Sequence, residues 1–270
     1  MQTLFSFLSG AIIAMTIAAS GNTVSAQEAA LKARMAGAAL TWSGENGRLR
    51  QVMQSLPKGG DIHNHLQGAV YAESWIEWAA EDGLCADMEN LALKFKVADS
   101  CQQSGWIEAA EAQADDSMRR DLVNAMSTRS YVPTLNWSGH NDFFETFFHM
   151  ASKPERLGDA LAEVAARAGH QNILYLELME TLILPELFPL LEGVSLSGDV
   201  AKDYQTLMGG PFGAALPDLV AAIKYRIATG VEKKTGLLGC DENRRAVGCD
   251  VEIRLIHQVI RSFPPENVFA

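Results

Sequence analysis

The chain holds 270 residues, 48% of them hydrophobic, and its 22 basic against 33 acidic side chains leave a formal net charge of −11. A surface of that sign repels phosphate backbones, which sets nucleic acid aside as a partner. The length is enough to bury one sizeable core.

The first 26 residues carry no charged side chain, Leu4 to Ala19 are an apolar run, and Val24-Ser25-Ala26 forms a small-x-small site. This pattern predicts a secretory signal peptide over 1–26, cut before Gln27, with 27–270 exported to the periplasm or the cell exterior. The apolar run is short for a spanning helix, so no stable membrane anchor is expected after cleavage. The first cysteine is Cys85, so no lipid-modified cysteine is expected near the start. Residues 27–55 read as helix interrupted at Ser43-Gly44.

Residues 56–78, LPKGGDIHNHLQGAVYAESWIEW, are the stretch richest in chemistry. His63 and His65 are two apart, so on a strand their imidazoles share a face. From Gly68 a helical stripe follows: Ala69, Ala72, Ile76 and Ala79. Two imidazoles thus end a strand that turns into a helix. That strand end is where barrels of alternating strands and helices place catalytic groups. Neutral imidazole is also a common zinc ligand.

PKGGDIHNHLQGAVYAE resembles the first metal-binding strand of the adenosine deaminase family, in particular its secreted branch of deaminase-related growth factors and their bacterial relatives. The resemblance implies the N-terminal part of a (β/α)8 TIM-type barrel of the metal-dependent hydrolase kind. It implies zinc-dependent hydrolytic deamination of adenosine, or a related purine nucleoside, to inosine. His63 and His65 would be two ligands of one Zn2+, with Gln67 contacting the nucleoside where many deaminases place an Asp. The family's third His, its Asp ligand and the proton-shuttling Glu of its His-Ala-Gly-Glu motif have no counterpart here. The family Glu is absent, so no catalytic residue is assigned within this chain. His140, His149, His170 and His257 read as surface or core histidines.

Residues 83–104 read as a loop-rich excursion and 105–129 as a charged helix. Asp142 to Met150 is a short helix with four phenylalanines, and Phe143 and Phe147 match the deaminase helix that walls the nucleoside pocket. Ser152-x-x-Glu155 reads as a capping box opening a helix to Ala168, with Leu157, Leu161, Val164 and Ala168 as its stripe and Gly169 as its stop. Asn172 to Met179 is a strand, apolar on both faces except for Glu177, as a helix-covered parallel sheet requires. Residues 180–216 are an insertion punctuated by Gly and Pro, without an assigned element. Asp218 to Thr229 reads as a helix turning Val220, Ile223 and Ile227 inward.

Asp250 to Val259 is a third strand, placed beside the second so that Arg254 pairs with Glu177. The order strand, helix, strand, helix, strand defines an α/β fold. Only three of the family's eight strands are accounted for, so the chain is expected to be truncated after about the third. The cysteines form two local pairs, Cys85 with Cys101 and Cys240 with Cys249. Neither pair has the close CxxC spacing of a zinc site, and export favours disulfides. The alternative to the enzyme is a non-catalytic secreted protein, growth-factor-like or nucleoside-binding, or a truncated inactive gene product.

Overall fold

The computed structural model describes residues 29, 32–33, 46–242, 246–261 and 263–270. The expected signal peptide, its cleavage site and most of the expected 27–55 helix lie outside the described residues. The chain divides into two units, Met1–Lys58 and Gly59–Ala270. In the first, helix α1 (Asn46–Ser55) is followed by Lys58, whose Nζ donates to the carbonyl oxygens of Met53 at 2.9 Å and Leu56 at 3.0 Å. A cation there complements the negative end of the helix.

The second unit runs from β1 (Gly59–His65) through a single turn α2 (Leu66–Ala69) and α3 (Ala72–Glu81) into β2 (Cys85–Asp87), β3 (Ala92–Lys94) and β4 (Trp106–Glu108). Helices α4 (Ala109–Ala114), α5 (Asp116–Ala125), α6 (Gly139–Thr146) and α7 (Leu157–His170) lead to β5 (Ile173–Glu180). Then come α8 (Leu184–Leu191), α9 (Val200–Met208), α10 (Pro211–Leu237), β6 (Glu252–His257) and α11 (Pro265–Phe269). Strands β1, β5 and β6 form a parallel sheet in the order β1-β5-β6, and β3, β2 and β4 a small antiparallel one. The parallel sheet is open, and the described residues form no closed barrel.

Leu176 and Leu178 of β5 pack with Ile76 of α3 and Leu161 and Val164 of α7, all buried. Each such side chain stabilises the fold by about 1.5–3 kcal/mol. The alternation of β5 turns Tyr175, Glu177 and Met179 to the opposite face, beside Glu252, Arg254 and Ile256 of β6. That face is half-buried or exposed. Helix α10 crosses α7 closely because glycines stand at the crossing. A Cβ at Gly158 would lie 2.6 Å from Lys233 Cβ, and one at Gly230 would lie 2.9 Å from Leu157 Cδ2. Among the described residues no single helix is long and apolar enough to cross a membrane; α9 and α10 reach that test only as a pair bent by 71°.

Several local expectations are corrected. The 83–104 loop contains β2 and β3, and the 105–129 helix begins as β4 and is broken at Asp115, whose carboxylate caps α5 by accepting from the Ser117 and Met118 amides. Pro154 opens a 3-10 turn instead of the Ser152 capping box, and α7 starts only at Leu157 with no side-chain cap. The capping box that forms is Ser138 with Asn141, at the start of α6. Residues 180–216 hold α8, α9 and the start of α10, which runs 27 residues through Pro217. Within α10, Val220 is exposed; Leu219 and Gly230 are buried, and Arg226 turns inward to Glu186 and the Leu182 carbonyl.

The Glu177–Arg254 pair is also corrected. The register sets these residues side by side. Arg254, however, takes Glu252 as its carboxylate, and Glu177 Oε1 accepts from the Tyr175 hydroxyl at 2.9 Å. The open face leaves the guanidinium solvated, so nothing compels the cross-strand pair.

Two buried carboxylates hold turns together. Asp87 accepts from the amides of Glu89 (3.1 Å) and Asn90 (3.0 Å) and from Asn90 Nδ2 (2.8 Å). Asp203 accepts from the Ser197 amide and hydroxyl, both at 2.7 Å, and from the Gly198 amide at 2.9 Å. Burial alone would push the Asp87 carboxyl up, but the hydrogen bonds from Asn90, Glu89 and Trp106 outweigh it and hold it below the ordinary value. The Ser197 amide likewise leads in holding Asp203 down. Stability from both is therefore present above the ordinary carboxylate range and is lost as pH falls through the depressed folded values. Asp87→Ala is expected to cost about 1–2 kcal/mol at pH 7. The urea midpoint should fall less steeply below pH 4 in this variant than in the parent; an unchanged slope would show that Asp87 is not a source of the acid sensitivity.

Candidate functional site

Asp61 shapes the end of β1. Its Oδ1 accepts from the His63 amide at 3.2 Å and its Oδ2 from Asn64 Nδ2 at 2.8 Å. Between the partners Asp61–Leu176 and Asn64–Leu178, two residues of β1, Ile62 and His63, stand against one of β5, Glu177, so the strand bulges here. Bulges re-aim side chains near the rim of a sheet. The role of Asp61 depends on this irregularity, and the Asp-x-x-Asn spacing is the trace it leaves in the sequence.

The two imidazoles stand beside each other at the C-terminal end of β1, with ring centroids 5.9 Å apart and planes at 86°. Two imidazoles on one tetrahedral zinc place their centroids about 5 Å apart, given Zn–N bonds near 2.1 Å. A closing shift of about 1 Å would be needed. His63 is exposed and His65 half-buried, and His65 is also the residue from which α2 starts.

Phe147 packs over His65, with centroids 5.8 Å apart, and Phe143 stands 5.3 Å from Phe147. Gly68 makes room, since a Cβ there would lie 3.0 Å from Phe147 Cζ. The structure thus gathers His63, His65, Phe147 and Phe143 in one array. Gln67 lines a cleft of about 280 Å³ together with Trp75, Glu180, Thr181 and Leu182. Its carbonyl accepts from Trp75 Nε1 at 3.1 Å. Burial pushes the Glu180 carboxyl up, opposed by a hydrogen bond from the Thr181 amide.

The other histidines are spread apart. His140 packs on Phe144 with centroids 4.7 Å apart, His149 Nδ1 is 3.1 Å from the Asn90 carbonyl, and His170 Nδ1 is 2.8 Å from the Ala166 carbonyl. His257 ends β6, exposed. Among the described residues no group of three or more His, Cys, Asp or Glu could hold a metal ion. His63 and His65 have the donor chemistry zinc takes, but as placed their rings stand wider apart than two imidazoles on one zinc, and two donors would be half of a four-ligand shell. Cys85 is bonded to Cys101 and Cys240 to Cys249, with Cα–Cα distances of 5.5 Å and 5.6 Å.

Fold and site together define a protein of mixed helix and strand, with an open three-stranded parallel sheet, a small antiparallel sheet and a paired-imidazole strand end. No protein-family model matches the chain, and no curated protein or solved structure is significantly similar to it.

Proposed function

We propose that this is an exported chain carrying the first metal-binding strand of an adenosine deaminase-type zinc hydrolase. The reading rests on one observation: His63 and His65 stand side by side at the C-terminal end of a parallel strand, with Phe147 against His65. Zinc, when bound, would lower the pKa of a coordinated water and supply the hydroxide that a purine deamination needs. His63 and His65 would hold it, and Phe143 and Phe147 would present an apolar wall to a purine ring. The two disulfides accord with export to an oxidising compartment.

The incomplete ligand set favours a second reading, a non-catalytic secreted protein. Zinc titration separates the two. His63→Ala and His65→Ala are each expected to weaken zinc by more than the ~10–100-fold that losing an outer-shell partner costs. Unchanged zinc affinity in both variants would end the metal reading. Lacking the family's proton-shuttling Glu, the chain by itself is expected not to turn adenosine over at an enzymatic rate, because such proton transfer contributes about 10²–10⁴-fold. Adenosine turnover that depends on His63 would overturn that part.

A further inference from the structure

We infer that the cleft beyond the C-terminal ends of β1 and β5 binds an uncharged sugar ring, held through its hydroxyls by Gln67, Ser152, Glu180 and Thr181. The inference goes beyond the zinc reading and uses neither His63 nor His65. Leu66 and Gln67 follow the last residue of β1, and Glu180 and Thr181 stand at the end of β5, so two neighbouring parallel strands deliver these groups to one cleft of about 280 Å³. The crevice beyond the carboxyl ends of parallel strands is where open sheets of this kind take ligands.

The polar groups in the cleft lack partners. The Thr181 hydroxyl oxygen is the only buried side-chain nitrogen or oxygen among the described residues that makes no hydrogen bond. An unpaired buried hydroxyl is destabilising, and a ligand hydroxyl would satisfy it. The Glu180 carboxyl takes one hydrogen bond, from the Thr181 amide at 2.9 Å. The side-chain amide of Gln67 and the hydroxyl of Ser152 have no partner among the described residues. A carboxyl, an amide and two hydroxyls present donors and acceptors together, which suits ligand hydroxyls, since each of these both donates and accepts. The cations at the cleft are already engaged. Lys153 Nζ donates to the Asp82 carbonyl at 2.9 Å, and Arg156 is held by Glu81, Asp82 and Asp159. An anion therefore finds no free cation there, and a ligand cation would meet two like charges on the same wall. Leu66, Trp75 and Leu157 complete the cleft with apolar surface, against which the C–H face of a sugar ring can lie. A free sugar and the ribose of a nucleoside offer this same chemistry.

The test keeps the full chain in chelator, so that zinc plays no part, and titrates it with methyl β-D-ribofuranoside, adenosine and adenine. Saturation-transfer NMR reads the binding. The riboside, adenosine or both are expected to bind, and adenine is not. Binding of the riboside alone assigns the cleft to a free sugar; binding of adenosine assigns it to a nucleoside. Thr181→Val and Glu180→Gln should each weaken the bound probe about 3–10-fold, the scale of one lost hydrogen bond. Thr181→Val should leave the urea midpoint unchanged or raised, because a methyl group replaces an unpaired hydroxyl, which separates lost binding from lost fold. The sugar site is overturned if neither the riboside nor adenosine binds, if adenine binds as tightly as adenosine, or if both variants bind like the parent. The zinc reading stands or fails separately, by its own titration.

Discussion

Arg156→Ala is expected to destabilise the second unit by about 3 kcal/mol, the scale on which removing one partner of a largely buried ion pair acts. Arg156 stands just before α7, and its side chain is only 13% exposed. Its Nε and Nη2 fork onto Asp82 at 3.0 and 2.9 Å, Nη2 also meets Glu81 at 2.7 Å, and Nη1 lies 3.5 Å from Asp159. Asp82 follows the last residue of α3, so this one guanidinium ties the end of α3 to the start of α7. Removing it leaves the Asp82 and Asp159 carboxylates, 16% and 13% exposed, with less compensation. Arg156→Lys keeps the charge but not the planar fork, and should fall between the two. Urea unfolding at pH 7 provides the measurement. A midpoint within error of the parent for Arg156→Ala would show the network to be no more than a solvated surface pair.

Removing the Cys85–Cys101 bond by paired alanine substitution is expected to cost about 3 kcal/mol, from the loop-closure entropy restored to the unfolded chain. The two residues are 16 apart in sequence, and both are buried, at 0% and 8% exposure. Cys85 opens β2, the central strand of the antiparallel sheet, facing Lys94 on β3 and Glu108 on β4. The bond thus anchors a three-stranded patch whose strands are each only three residues long. Cys240–Cys249 closes a shorter loop of separation 9 and is more accessible, so its removal should cost less, about 2.5 kcal/mol. Mild reductant on the folded protein, followed by alkylation, should label Cys240 and Cys249 first. Equal labelling of all four cysteines would show that the antiparallel patch does not shield its bond.

The sequence by itself determined the features that depend on short-range periodicity. The stripe Leu157, Leu161, Val164 and Ala168 is buried throughout α7, because a 3.6-residue repeat of apolar side chains can be satisfied only by a helix laid on a core. Asn172 to Met179 overlaps β5 and Asp250 to Val259 contains β6, since runs free of Gly and Pro suit a strand; the expected cover on both faces is not met, because only the Leu176 and Leu178 face of β5 is buried. The side-by-side placement of His63 and His65 was likewise legible from their spacing.

Only the tertiary structure decided what depends on partners distant in sequence. Ser152 and Glu155 have the local signature of a cap, but Pro154 opens a tight turn and Arg156 is drawn to Asp82, so the helix begins later. Pro217 would end a helix on local grounds, yet α10 runs through it, packed along α7 at Gly158 and Gly230. Arg254 and Glu177 meet in register but do not pair, because pairing depends on whether their face is covered. Phe147 lies over His65 across 82 residues, made possible by a glycine whose spacing carries no such message. Local pattern records which face of an element is apolar; which other element covers that face, and whether anything does, is set by non-local packing that no short window of sequence contains.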